Sequence, residues 1–363
     1  MLKGNHEREE LLRISDLDIS LKNSKRNLKV INGVSLTIHA GEALGLVGES
    51  GSGKSALALS IVGLLPNSMV VSGGRITYRS QPLHEQKRDE IRRLRGKEIS
   101  MIFQDPMTSL NPSLTVGKQI MEMFTFHLGM KRKEAKRQAV AIMKKVGLSR
   151  PEDLLKEYPH RLSGGMRQRV MIAIALACQP KLLIADEPTT ALDVTIQAQI
   201  LQLMEDVKKA GTALLFISHD IGVIAEICDR VAVMYAGQIV EEGTVQQIFA
   251  SPQHPYTIGL LNSIPTPNKK NKRLYSIRGT VPAISDRGAG CPFHSRCDHA
   301  MAVCVSHNPE FVQMNERQLV RCFLAKKEGG NVHDGIQSSG NSKLEKILSN
   351  SPFWYNEKGN TSC

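Results

Sequence analysis

The chain has 363 residues, 41% of them hydrophobic and only 4% aromatic, which allows one large aliphatic-cored domain with an extension, or two or three units. No apolar run approaches the roughly 20 residues that cross a bilayer, and the charged stretch Asn5 to Glu10 lacks the apolar segment of a signal peptide, so the chain is expected to stay in the cytoplasm. The net charge of +12 sits in clusters at 22–29, 87–97, 131–137 and 269–273; solvated surface or an anionic membrane face accounts for these, and nucleic acid is disfavoured because no aromatic residues are interleaved as stacking platforms.

Strand-like and helix-like runs alternate through the first 250 residues, the pattern of an α/β fold. Ala43 to Val47 reads as a buried strand and Ala56 to Val62 as a helix. Between them, Gly48-Glu49-Ser50-Gly51-Ser52-Gly53-Lys54-Ser55 matches G-x-x-x-x-G-K-[ST] in its required strand–loop–helix setting. Glycines let successive N–H groups turn inward on anionic oxygens, and a helix N-terminus adds positive potential. Lys54 would reach the β- and γ-phosphates and the Ser55 hydroxyl would ligate Mg²⁺.

From Pro106 to Leu162 the alternation stops: Val116 to Met123 and Lys133 to Val146 read as amphipathic helices with no strand between them, a helical subdomain over about 106–165. Leu162-Ser163-Gly164-Gly165-Met166-Arg167-Gln168 opens a further helix, with Ser163 as N-cap and a glycine pair leaving N–H groups exposed. This is a second anion site, and one subunit has no need of two; the loop is expected to complete a partner's site. Leu182 to Ala185 reads as a strand ending in Asp186 and Glu187. One carboxylate, Asp186, would hold Mg²⁺, and the next, Glu187, would polarise the attacking water. Thr195 to Lys209 has helical spacing, with Ile196, Ile200, Leu203 and Val207 on one stripe, and Ala213 to Ile217 and Val231 to Met234 read as parallel strands covered on both faces.

After Pro252 the chain becomes rich in Pro, Asn and Lys. Beyond Lys326 it turns Gly/Ser/Asn-rich and is expected to be disordered over 327–363. Cys178 and Cys228 fall in apolar helical patterns and read as inert buried thiols. Cys291, Cys297, Cys304 and Cys322 are spaced C-x5-C-x6-C-x17-C, without the C-x-x-C pair of the usual zinc-ribbon and ferredoxin patterns. A cytosolic setting disfavours disulfides; zinc, with His294, His299 or His307 as alternative ligands, free thiols and a [4Fe–4S] cluster stay open.

Taken together, six motifs in order resemble an ATP-binding cassette ATPase. Gly48 to Ser55 is similar to the Walker A loop, Gln104 to the Q-loop glutamine, and Leu162 to Gln168 to the signature. Leu182 to Glu187 is similar to the Walker B strand, Thr190-Ala191-Leu192-Asp193 to the D-loop, and His219 to the switch histidine. The resemblance implies a P-loop NTPase (RecA-like) core over 11–250, with ATP and Mg²⁺ as ligands and Ser55, Gln104 and Asp186 around the metal. Glu187, His219 and Gln104 would be the catalytic set, His219 contacting the γ-phosphate. It further implies a head-to-tail dimer in which Ser163, Gly164 and Gly165 of one subunit meet the nucleotide held by the other.

Phe103 to Pro112, Ala185 to Thr195, His254-Pro255-Tyr256-Thr257 and Gly290 to Cys297 are similar to ATPase subunits of oligopeptide and dipeptide importers; nickel importer ATPases are usually shorter and lack the Cys-bearing end. The subgroup implies a C-terminal extension over 251–326, favours a [4Fe–4S] cluster on the four cysteines as a structural staple, and implies two permease subunits, a related but different partner ATPase, and an external binding protein that selects cargo. The expected place is the cytoplasmic face of the membrane. Two departures stand out: Leu21 holds the place of the usual adenine-stacking aromatic, and Met166 replaces the commoner glutamine of the signature. A DNA-repair or chromosome ATPase with the same motifs would carry a long coiled coil between Lys54 and Ser163, and no heptads are present there.

Overall fold

The computed structural model describes residues 9–22, 28–83, 86, 88–189, 194–264 and 275–325. In chain order the strands are β1 (Glu10–Leu21), β2 (Lys29–His39), β3 (Ala43–Val47), β4 (Met69–Tyr78), β5 (Gln81–Pro82), β6 (Ile99–Ile102), β7 (Leu182–Asp186), β8 (Ala213–Ser218), β9 (Arg230–Tyr235), β10 (Gln238–Thr244), β11 (Val312–Asn315) and β12 (Gln318–Val320). The helices are α1 (Lys54–Ile61), α2 (Arg88–Leu94), α3 (Pro106–Ser109), α4 (Val116–Leu128), α5 (Arg132–Lys145), α6 (Pro151–Leu154), α7 (Gly164–Leu176), α8 (Val194–Lys209), α9 (Ile221–Ile227), α10 (Val245–Ala250), α11 (Pro255–Asn262) and α12 (Ala302–Ser306).

The strands form two sheets. The larger runs β11-β12-β10-β9-β3-β8-β7-β6 and the smaller β2-β1-β4-β5. The stretch from β9 to β6 is parallel. The expected strand limits hold to within a residue or so at each end. Alternation along each parallel strand feeds two cores, as the pleat requires. Leu44, Leu46, Leu182, Ile184, Leu215 and Ile217 face α1 and the antiparallel sheet. Leu183, Ala185, Leu214, Phe216, Val231 and Val233 face the opposite way, toward α7 to α11. All these strand residues are buried on both faces, hence the continuous apolar runs in the sequence.

The region 106–162 is helical, as expected from its spacing. Thr115 caps α4 by accepting from Lys118 N, and Gly129 ends it in the left-handed conformation at φ 64°. The buried Val116, Ile120 and Phe124 of α4 pack with Ala135, Ala139 and Met143 of α5 into the same core as α7.

Two features were not anticipated. The antiparallel sheet β2-β1-β4-β5 was not read from the sequence. The C-terminal extension also joins the main sheet, because β12 pairs with β10 through Glu241↔Val320 and Glu242↔Leu319, and β11 closes a hairpin on β12. Asp193, with the rest of 190–193, the basic run at 269–273, and 326–363 lie outside the described residues.

Candidate active site

β3 delivers the chain to residues 48–53 and α1 begins at Lys54. Gly48 passes so close to β9 that a Cβ there would lie 2.1 Å from Met234 O. Gly53 caps α1 at φ 107°, where only glycine is comfortable. The loop is braced from outside: Gly237 N donates to Ser52 O at 2.8 Å, and Glu49 N donates to the Tyr256 hydroxyl at 2.9 Å. Lys54 is buried, and its Nζ donates to Gly48 O at 2.7 Å and Glu49 O at 3.0 Å. Burial lowers its pKa, opposed by the charges of Glu187, Asp186 and Glu49.

β7 ends beside this loop. Asp186 is buried, and its pKa is raised mainly by desolvation, against a hydrogen bond from Ser55. Its Oδ1 has no hydrogen-bond partner among the described residues. A buried carboxylate oxygen left open beside a serine hydroxyl fits a Mg²⁺ shell, since oxygen ligands and water are what that ion takes. Glu187 follows with φ 49°, a left-handed conformation for a non-glycine residue, and its N–H donates to Ile217 O at 3.0 Å. Such backbone strain clusters where function over-determines geometry.

Gln104 and His219 arrive from two other strand ends, those of β6 and β8. Gln104 Nε2 donates to Glu187 Oε2 at 3.1 Å, and His219 Nδ1 stands 3.4 Å from the same oxygen. The four expected residues Gln104, Asp186, Glu187 and His219 therefore meet at one edge of the parallel sheet, next to Lys54.

The Ser163 loop stands apart in character. Ser163 caps α7 by accepting from Met166 N, and Ser163 and Gly164 are exposed, with open space where a Gly164 side chain would be. About one turn into α7, buried Gln168 donates to Pro188 O at 2.8 Å, tying this helix to the segment just after Glu187. Leu21 ends β1, partly buried against the second core. Ile19 pairs with Ile31, which lies beside Gly53, so the end of β1 is brought toward the phosphate loop.

The four C-terminal cysteines line one small cavity, with His254, Phe293, His294, His299 and Leu324 also in its wall. Backbone N–H groups point at every sulfur. His299 N lies 3.4 Å from Cys297 Sγ and Met301 N 3.5 Å from Cys304 Sγ; Phe293 serves Cys291, and Leu324 and Ala325 serve Cys322. Burial pushes the Cys291 and Cys322 thiols up to about 11. No three His, Cys, Asp or Glu side chains among the described residues converge closely enough to hold one metal ion. Cys178 and Cys228 are free thiols raised by burial, Cys178 to about 11.

Residues that sequence reasoning did not assign to the site also converge on it. Tyr235, Tyr256 and Phe293 form a buried aromatic group, with ring centroids 4.7 Å (Tyr235–Tyr256), 5.2 Å (Tyr235–Phe293) and 5.4 Å (Tyr256–Phe293) apart. Arg296 lies beside them. The sequence signal lay in the two stretches His254-Pro255-Tyr256-Thr257 and Gly290 to Cys297, neither of which pointed to the phosphate loop.

This layout of loop, strand-end carboxylates and capped glycine pair defines an ATP-binding cassette, and comparison with known proteins agrees. Residues 31–190 match the family described as "ABC transporter" and residues 240–304 the "Oligopeptide/dipeptide transporter, C-terminal region". The chain belongs to the ATP-binding subunits of ABC transporters, in the oligopeptide/dipeptide class. It is 50% identical to the oligopeptide transport ATP-binding protein AppD of Bacillus subtilis, over 88% of this chain and 98% of that one. Identity to the dipeptide transport ATP-binding protein DppD of the same organism is 46%, over 87% and 95% of the two chains. Among solved structures it is similar to the ATP-binding cassette MJ0796, a dimer in a post-hydrolysis state bound to ADP and Pi. There the TM-score is 0.60 at 27% identity, covering 65% of this chain and 99% of that one.

Proposed function

We propose that this chain hydrolyses ATP to drive peptide uptake through two permease subunits, docked on the cytoplasmic face of the membrane. No described helix is long and apolar enough to cross a membrane, in keeping with peripheral docking. The observation that carries the reading is the meeting of Gln104, Asp186, Glu187 and His219 beside Lys54, in a chain whose relatives across nearly its whole length are peptide transport ATP-binding proteins.

In this reading residues 48–55 cradle the triphosphate, Ser55, Gln104 and Asp186 surround Mg²⁺, and Glu187 Oε2 takes the proton of the attacking water. The new bond forms between that water oxygen and the γ-phosphorus as the β–γ bridge bond breaks, leaving ADP. His219 and Gln104 fix the Glu187 carboxylate. Ser163, Gly164 and Gly165 face outward to close the nucleotide of a second ATPase subunit, so that binding closes the dimer and hydrolysis releases it. The partner is read as a related, non-identical chain, and the external binding protein acts through the permeases.

The four cysteines are read as ligands of a [4Fe–4S] cluster, with zinc as the alternative. All four line one cavity, and backbone N–H donors at each sulfur would stabilise clustered thiolate charge. Such a cluster would supply a structural tie within the extension. Anaerobic purification tests it: brown protein with about four iron and four acid-labile sulfide per chain supports it, and colourless protein with one zinc refutes it.

The function is tested in vesicles carrying the assembled importer. ATP inside should drive accumulation of labelled peptide, and Lys54→Ala should abolish it. Peptide accumulation that survives Lys54→Ala would refute the assignment.

A further inference from the structure

The phosphate loop carries an acidic residue at an awkward place. Glu49 is the second residue of the loop, so its negative charge belongs to the segment read as cradling a triphosphate. In this chain it is met by Arg296, which lies 247 residues away in sequence. Arg296 Nη1 donates to both Glu49 oxygens, at 3.1 and 3.0 Å. Its side chain is only 5% exposed, and its other donors are also used: Nε to Arg278 O at 2.6 Å, Nη2 to Gly279 O at 3.2 Å, and Nη1 to the Tyr235 hydroxyl at 3.3 Å. The guanidinium also lies 5.7 Å from the Tyr235 ring centroid and 6.0 Å from that of Phe293.

Three contacts thus fix Glu49 at once. Its N–H is held by Tyr256, its carbonyl by Lys54, and its carboxylate by Arg296. Arg296 itself sits in a single helical turn, His294–Arg296, between Cys291 and Cys297. The C-terminal extension therefore reaches the phosphate loop through the Tyr256 hydroxyl and through a part-buried Arg296–Glu49 ion pair.

We propose that Arg296 is a positioning residue for ATP: it neutralises Glu49 and holds the phosphate loop in its binding geometry, so that the extension sets ATP affinity. Two physical effects point the same way. An unpaired Glu49 carboxylate would repel the triphosphate in a partly desolvated site. A loop without its anchor would also have to be ordered by the ligand itself, at a cost in affinity. The inference rests on residues 48–55 being the ATP loop.

The test is Mg–ATP affinity of the full-length chain, measured with a fluorescent ATP analogue, alongside kcat and thermal stability. R296Q should raise Kd about tenfold, the scale of one charged buried hydrogen bond, with kcat at saturating ATP within about twofold of wild type. The double variant R296Q/E49Q should bind no worse than R296Q, because the two residues act as one unit. A wild-type Kd in R296Q, even with a lowered melting temperature, would show a merely structural role and overturn the proposal. So would effects of R296Q and E49Q that multiply. If R296Q does not fold, R296M takes its place: it keeps the length of the side chain but removes the charge and every donor, and a wild-type Kd there is equally contrary. Failure of the wild-type chain itself to bind Mg–ATP would instead overturn the phosphate-loop reading.

Discussion

Gln104 and Glu187, 83 residues apart in sequence, share a hydrogen bond of 3.1 Å between Nε2 and Oε2 at the ends of two neighbouring parallel strands. The bond matters because of where its donor comes from. Gln104 is the last residue before the helical subdomain: Asp105 caps α3, and the chain does not return to the sheet until β7. On the proposed mechanism, a displacement of the subdomain would be passed through this bond to the Glu187 carboxylate.

Replacing Gln104 should therefore act on hydrolysis more than on binding. Gln104→Ala removes the donor while leaving Lys54 and residues 48–53 untouched. We expect kcat to fall about tenfold to a hundredfold, the low end of what a group acting on general-base chemistry contributes. The concentration of Mg²⁺ giving half-maximal rate should rise as well. Steady-state ATPase assays with magnesium titration check this; unchanged kcat and magnesium dependence would remove Gln104 from the site.

Leu21 offers a gain of affinity. An aromatic stacked on a nucleobase is worth about 1–3 kcal/mol, and a leucine gives only apolar contact. Leu21→Tyr should lower Kd for ATP at least several-fold and sharpen the preference for ATP over other nucleoside triphosphates. Competition binding with the four nucleotides measures both. No change in either would mean that the base lies elsewhere.

Glu226, on α9, gives a pH signature away from the active site. Burial, with Asp220 and Glu205 nearby, raises its carboxyl from 4.5 to about 7, and its Oε1 has no hydrogen-bond partner among the described residues. A raised carboxyl binds its proton more tightly in the fold than in the unfolded chain. Stability from this group is therefore present at low pH and lost as pH rises from about 4.5 through about 7. Glu226→Gln removes the penalty. The variant should be more stable than wild type at pH 8 by about 1 kcal/mol, after discounting for partial exposure, and the difference should vanish near pH 4.5. Denaturant unfolding at the two pH values decides it; a difference that does not change with pH would contradict the assignment.

The parallel sheet and the residues that meet at its strand ends were legible in the sequence because each rests on a local signal. β3, β7, β8 and β9 are buried on both faces, so they appear as unbroken apolar runs. Asp186 and Glu187 stand where such a run stops. Ser163 declares itself by capping a helix whose first residues are glycines. The antiparallel sheet was harder to see. β1 intersperses the exposed Arg13 and Asp16 and the half-buried Asp18 with its buried apolar residues, and its register with β2 and β4 is broken by bulges. A bulge shifts the period of two and hides the strand. β11 and β12 are too short to show a period at all; β12 pairs with β10, and β11 pairs with β12. Arg296 was invisible for a different reason. Its meaning lies entirely in a contact with Glu49 across most of the chain, and nothing in the neighbouring residues announces that contact.

The most direct test of the central claim, that Glu187 activates water at an ATP site closed by a second subunit, is a single-turnover measurement on Glu187→Gln in the assembled importer. The substitution keeps the shape of the side chain and removes the base. Mg–ATP should still bind and hold the two ATPase subunits together, while hydrolysis falls at least about a hundredfold. Hydrolysis at the wild-type rate, or no ATP-dependent association of the subunits, would contradict it.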